Sequence, residues 1–145
     1  CKAESEQAVT LFGFIGDASL RAGALGVKCE PFGLNFGAIT AVALDGLPLM
    51  SSGRVLISLV GRSENQTWKW NAQRTSVGEI SGDGSAPITE AIPAVITLQS
   101  SNPMRVLPLR PDGSRMEPLD ASWADGILSF STDPGHPTLH YEIIP

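Results

Sequence analysis

The chain is a succession of short apolar runs that alternate every second residue and are separated by turn-forming residues. In residues 138–144, Leu139, Tyr141 and Ile143 alternate with Thr138, His140 and Glu142, the pattern of a half-buried antiparallel strand. Val95, Thr97 and Gln99 alternate with Ile96 and Leu98, and Leu128 and Phe130 alternate with Ser129 and Ser131. The same reading predicts strands over residues 9–14, 25–30, 36–44, 54–62, 68–72, 94–99, 104–109, 127–131 and 138–144. Asp45-Gly46, Ser52-Gly53, Gly82-Asp83-Gly84, Asp112-Gly113, Asp125-Gly126 and Pro134-Gly135 fall between them, residues that favour tight turns. No capped helical stripe is present. The run Val55-Leu56-Ile57-Ser58-Leu59-Val60 is apolar on both faces, which predicts a central strand covered on its outer side by a loop or another domain. Residues 76–93, rich in Gly and Pro, predict a long excursion before the next strand. The expectation is an all-β, antiparallel, jelly-roll-like β-sandwich of about eight to ten strands forming one domain over residues 1–145.

Composition narrows this further. A length of 145 residues suits a single domain with an ordinary core, and an apolar share of 42% excludes disorder. The net charge of −5 argues against nucleic acid and against anionic membrane surfaces, both of which favour a basic face. No apolar stretch approaches the roughly 20 residues of a membrane-spanning helix. Nothing at the N-terminus reads as a signal peptide, so the chain is expected to be a mature or excised segment. Cys1 and Cys29 are too few for a disulfide framework. Paired, they would close a loop contributing roughly 3.5 kcal/mol and would imply an exported protein; unpaired, Cys29 is a core residue and Cys1 a free terminal thiol.

Enzyme chemistry is largely missing from the sequence. There is no Gly-x-Ser-x-Gly elbow, no phosphate loop and no Cys–His arrangement of family spacing. His136 and His140 are four apart, but Pro137 intervenes and the segment reads as a turn entering a strand, so they are not a helical zinc pair. Aspartates crowd the turns, where turn chemistry explains them. A structural calcium would need about 6–8 converging oxygens, which spacing does not show, so no cofactor is expected.

The most informative stretch is Trp68-Lys69-Trp70-Asn71. On an extended strand residues two apart share a face, so two indoles would form an apolar platform edged by Asn65, Asn71, Gln73 and Arg74. Sugar rings offer a flat C–H face and a rim of hydroxyls, and aromatic plates edged by polar groups suit them. The competing reading puts the indoles in the core or against a neighbouring domain. Trp123, between Asp120 and Asp125 in an expected loop, is a second candidate sugar contact or a lid over the sandwich; Tyr141 is expected in the core.

An ordered set of motifs resembles a known family. Leu44-Asp45-Gly46-Leu47-Pro48-Leu49, Ser52-Gly53-Arg54-Val55-Leu56-Ile57, Gly61-Arg62-Ser63-Glu64-Asn65 and Trp70-Asn71 are followed by Pro87, Glu90, Pro93, Val95-Ile96-Thr97-Leu98 and Thr138-Leu139-His140-Tyr141-Glu142. Together they resemble the non-catalytic C-terminal β-sandwich that follows the catalytic barrel in some large bacterial glycoside hydrolases. The resemblance covers roughly the C-terminal three-quarters of the chain. Where that pattern has Thr-Gly-Met, this chain has Gln66-Thr67-Trp68, which adds aromatic surface beside Trp70. The resemblance implies a secreted or periplasmic, monomeric carbohydrate-binding module that is not itself an enzyme. Its partners would be a polysaccharide or oligosaccharide and the catalytic domain of the parent enzyme. The alternative it leaves open is a structural accessory sandwich that packs on the catalytic domain and binds no sugar.

Overall fold

The alternation read along the chain becomes two stacked antiparallel sheets. The structure, a computed structural model, describes residues 1–77, 86–132 and 138–145. The first strands are β1 (Lys2–Glu4), β2 (Ala8–Phe14), β3 (Ser19–Ala22), β4 (Leu25–Cys29), β5 (Phe36–Ala43) and β6 (Val55–Val60). They are followed by β7 (Ser63–Asn65), β8 (Pro87–Thr89), β9 (Ala94–Gln99), β10 (Arg105–Pro108), β11 (Ala121–Ala124), β12 (Ile127–Ser131) and β13 (His140–Ile144). A six-stranded sheet runs β1-β2-β5-β6-β13-β10 and a five-stranded sheet runs β11-β12-β9-β4-β3, while β7 and β8 pair by themselves. The chain passes repeatedly between the two large sheets, so β13 is inserted between β6 and β10, and β9 between β4 and β12. The fold is all-β, as the alternation predicts, with thirteen strands among the described residues rather than eight to ten.

The inner faces carry the expected residues. Val9, Leu11, Ile39, Ala41, Val55, Ile57, Leu59, Val106, Tyr141 and Ile143 from the larger sheet meet Leu25, Val27, Ile96, Leu98, Leu128 and Phe130 from the smaller one, all buried. Full burial of one such aliphatic or aromatic side chain contributes about 1.5–3 kcal/mol, so this layer is the main source of stability. The Phe130 and Tyr141 rings, 5.5 Å apart, join the two sheets directly. Turn chemistry supplies the corners. Asp125 and Gly126 both have positive φ (51° and 75°), as a tight hairpin between β11 and β12 requires. Asp45 accepts from Gly53 N at 2.8 Å and from Ser52 Oγ at 2.9 Å, which locks two of the expected turns to each other.

Three expectations are corrected. Residues 68–72 are not a strand; Trp70 makes one isolated bridge to Val77 within a loop. Trp123 lies on edge strand β11, not in a loop. Cys1 and Cys29 are free, because Cys1 is exposed beside β2 whereas Cys29 is buried at the end of β4 in the other sheet. The turns at Gly82-Asp83-Gly84 and Pro134-Gly135, together with His136, lie outside the described residues, as does much of the excursion over 76–93.

The outer face of β6 is only partly covered. Val60 is exposed, Ser58 is half-buried and bonded to His140 Nδ1 at 2.9 Å, and Leu56 lies beside Glu142 in the register. Among the described residues Glu142 is the one carboxylate residue that is buried as a whole, 4% exposed, and both of its oxygens are taken: Oε1 by Arg54 Nε at 2.7 Å and Oε2 by Arg115 Nε at 2.6 Å. Arg115 belongs to a segment that also bonds the free edge of β10 through Met116 N to Pro108 O and Leu119 N to Val106 O. The ion pair thus holds a cover over an edge strand that would otherwise be open to pairing.

The bond from Arg115 holds the Glu142 carboxyl below its usual value against the opposing effect of burial, with Arg54 adding to it. A lowered carboxyl contributes stability that is present above the unfolded value and is lost as pH falls through the folded one. The thermal midpoint should therefore hold from pH 7 to about 4.3 and fall below it. Glu142→Gln should cost about 1–3 kcal/mol at pH 7 and flatten that decline, with faster amide exchange at Met116 and Leu119. Calorimetry and hydrogen exchange across the pH range check both effects.

Candidate functional site

The two-stranded ribbon of β7 and β8 leaves β6 through Gly61 and Arg62 and carries the loop that holds the indoles. Local side-chain bonds shape that loop. Asn65 Oδ1 accepts from Thr67 N at 3.1 Å and from Thr67 Oγ1 at 2.8 Å, and Trp68 N bonds Asn65 O, so the chain turns at the end of β7 instead of continuing extended. Asn71 Oδ1 accepts from Thr75 N at 2.9 Å, Arg74 N bonds Asn71 O, and Arg74 has a positive φ of 54°. This second turn brings Arg74 back over Trp70.

Glu64 organises the cluster. Its Oε2 accepts from Trp70 Nε1 at 3.0 Å and from Arg74 Nη2 at 2.6 Å, while Arg62 Nη2 lies 3.7 Å from Oε1. Arg74 Cζ stands 5.1 Å from the centroid of the Trp70 ring, a cation–π contact worth about 0.5–1 kcal/mol at an exposed site. Trp68 meets Trp70 edge to face, centroids 5.7 Å apart and planes at 73°. The coplanar platform expected from a strand is therefore replaced by a corner. Trp70 is the buttress, held by its N–H and covered by a guanidinium. Trp68 is partly buried, and among the described residues no ring other than Trp70 and no guanidinium stands against it.

The polar rim expected from the sequence is partly consumed by the fold. Asn65 and Asn71 bond within their own turns and Arg74 is committed to Glu64, while Gln73 is exposed. Trp123, 39% exposed, sits on the edge of the five-stranded sheet, so it belongs to a different element from the indole corner. Glu64 and Glu90 lie in the motifs that carry the resemblance but are not among the expected site residues; Glu64 is two residues from Arg62, which places both on one face of an extended chain.

A cleft of about 200 Å³ adjoins the corner through Glu64 and is lined by Arg62, Glu64, Ile88, Thr89 and Glu90. That is smaller than the roughly 300–1,000 Å³ of pockets for drug-sized ligands, and suits a single small ring. Two larger clefts lie elsewhere: about 730 Å³ along β11 and β12 beside Leu119, and about 310 Å³ between Pro108, Met116 and Tyr141. No indole lines any of the three; the small cleft is joined to the corner only through Glu64, which bonds Trp70 Nε1. Among the described residues no group of three or more His, Cys, Asp or Glu side chains converges as a metal site would require. Comparison with protein-family models, with curated proteins and with solved structures finds no match to this chain.

Burial pushes the Cys29 thiol up to about 11, while Cys1 is exposed. The thiolate is the nucleophile, so a buried thiol that stays protonated is inert. Iodoacetamide at pH 8 should label the native protein at Cys1 only and both cysteines in guanidinium, read by peptide mass spectrometry.

Proposed function

We propose that this chain is a non-catalytic carbohydrate-binding module that tethers a polysaccharide-degrading enzyme to its glycan. The observation that carries the reading is a partly buried indole, Trp68, braced edge to face by Trp70, whose N–H bonds Glu64 on the wall of a small cleft that also holds Arg62 and Glu90. An indole face matches the C–H face of a pyranose, and fixed charged groups alongside match its hydroxyls. The resemblance of its ordered motifs to the accessory sandwiches of bacterial glycoside hydrolases points the same way. Binding of this kind is weak, of order 10 µM to 1 mM, or about −4 to −7 kcal/mol. Weakness is sufficient, because a tether converts modest affinity into high effective concentration.

One observation favours the second reading, an accessory sandwich docked on the catalytic domain. Phe12, Phe14, Phe36 and Val60 gather on the outer face at one end of the six-stranded sheet, and Phe14 is 81% exposed. The Phe14 and Phe36 rings meet at 5.2 Å, which makes the patch contiguous. Such patches mark contacts between proteins or domains, and interdomain interfaces span about 600–1,500 Å².

Xylan, mannan and glucan oligosaccharides should quench tryptophan fluorescence, and the protein should be retarded in native gels containing the bound polysaccharide. Trp68→Ala should weaken that binding at least about tenfold, about 1.4 kcal/mol, and leave the thermal midpoint nearly unchanged. Trp70→Ala should lower both, because it removes the brace. No response to any glycan, with tight capture by a glycoside hydrolase catalytic domain that Phe14→Ser abolishes, would replace the first reading with the second.

A further inference from the structure

We propose that the free edge of β11 is a docking site for an extended, basic segment of another protein, which joins the five-stranded sheet as an added strand. This goes beyond glycan binding and does not depend on it. The two large sheets have four edges, β1, β10, β11 and β3. A bare edge offers its main chain to any passing strand, so edges are normally charged or covered. Three of the four are. β1 carries Lys2 and Glu4 among its three residues. β10 is closed by the segment that bonds it through Met116 and Leu119. β3 presents Arg21 to solvent and packs against β1 and β2. β11 matches β3 in length but has neither device. Ala121-Ser122-Trp123-Ala124 holds no charge and no proline, pairs with β12 in unbroken register, and is exposed at every position.

The hairpin decides which main-chain groups face outward. The two-residue turn at Asp125-Gly126 closes on Ala124 and Ile127, and such a turn makes its flanking residues a hydrogen-bonded pair. Bonded and non-bonded pairs alternate along an antiparallel ladder. Ser122 therefore also bonds β12, while the N–H and C=O of Ala121 and Trp123 point away from it. Among the described residues neither of the two makes a main-chain bond beyond the ladder. An added antiparallel strand gains up to four bonds there, through one N–H and one C=O from each of these two residues. A cleft of about 730 Å³ runs along the same stretch of β11 and β12, and Asp120 is the one charged residue among those that line it.

Charge selects the occupant. Asp120 and Asp125 are exposed and bracket the strand, and neither takes part in an ion pair among the described residues. When one residue of an antiparallel partner sits opposite Trp123, the residue two before it lies beside Asp125 and the residue three after it beside Asp120. Lys or Arg at those two positions meets both carboxylates, and a β-branched residue opposite Trp123 packs on the indole. Exposed ion pairs add little affinity, but charges of the wrong sign reject a partner. A second copy of this chain is rejected in this way. Paired antiparallel about Ser122 and Trp123, it would set Asp120 of each copy against Asp125 of the other, and each copy carries −5.

Amide NMR titration of the full chain with the end-blocked hexapeptide Lys-Thr-Val-Thr-Val-Lys, and with Glu-Thr-Val-Thr-Val-Glu as its acidic counterpart, tests this. The basic peptide should shift the amides of Ala121–Ala124, slow hydrogen exchange at Ala121 and Trp123, and bind at least about tenfold tighter than the acidic one. Ala121→Pro removes only an outward N–H, which an edge tolerates, so it should keep the thermal midpoint and weaken the basic peptide at least about threefold. Asp120→Asn combined with Asp125→Asn, a residue that accepts the positive φ of that turn, should bring the two peptides within about threefold of each other. Should Ala121→Pro melt early, the paired asparagine variant and the exchange at Trp123 decide the matter. No binding of either peptide at about 1 mM, equal affinity for both, or shifts centred on another element overturns the proposal. So does binding that survives both sets of substitutions unchanged. A free chain that sediments as a dimer and turns monomeric with Ala121→Pro also overturns it, by making a second copy the occupant.

Discussion

Two apolar sheet faces that must be hidden from water against each other are the constraint on which the structure depends. Leu25, Ile39, Val55, Ile57, Ile96, Val106, Leu128 and Ile143 are fully inaccessible, and they come from both sheets and from both ends of the chain. Because strand side chains alternate, satisfying that layer fixes the register of every long strand, and a slip by one residue would turn the whole set outward. Apart from the phenylalanine patch at one end, the outer face of the larger sheet is left to polar and ionic bonding. On the six-stranded sheet this takes the form of Thr10–Thr40, Ser58–His140 and the Glu142 ion pairs.

That division explains what could be read in advance. Strands β9, β12 and β13 were legible because each hides one face and alternates in sequence, and β6 because it is a continuous apolar run. Strands β1, β7, β8 and β11 were not, because Lys2–Glu4, Ser63–Asn65, Pro87–Thr89 and Ala121–Ala124 are three- or four-residue edge segments that bury almost nothing and leave no period in the sequence. The opposite error occurred at Trp68 and Trp70. Their spacing of two mimics a strand, but it arises in a loop bent by Asn65 and Asn71, where one indole stands edge-on to the other. Tyr141 was correctly expected in the core. The burial of Glu142 was invisible, since it is created by Arg54 and Arg115 arriving from distant parts of the chain.

The three acidic side chains that matter show how one residue type is put to different uses. Glu142 has a donor for each oxygen and binds an edge cover to the sheet. Glu64 also has its donors, but they come from an indole and two guanidiniums in a loop, so its effect is to fix where aromatic surface stands. Glu90 has a prepared seat and no donor. Glu142 and Glu64 are both satisfied by the protein's own donors, whereas Glu90 Oε2 is buried without one.

The indole corner and the phenylalanine patch are not independent surfaces. Val60 closes the patch and Arg62 opens the cleft, with only Gly61 between them. At about 3.3 Å per residue, their Cα atoms lie within roughly 7 Å of each other. A domain seated on Phe12, Phe14 and Phe36 would therefore border the cleft without needing to cover Trp68, which lies beyond β7. Gly61 cannot be widened to separate the two, because a Cβ there would strike the Glu90 backbone. A glycan lying in the cleft would run along the rim of whatever is docked on the phenylalanines. On the proposed reading, sugar binding and docking would be neighbouring parts of one surface.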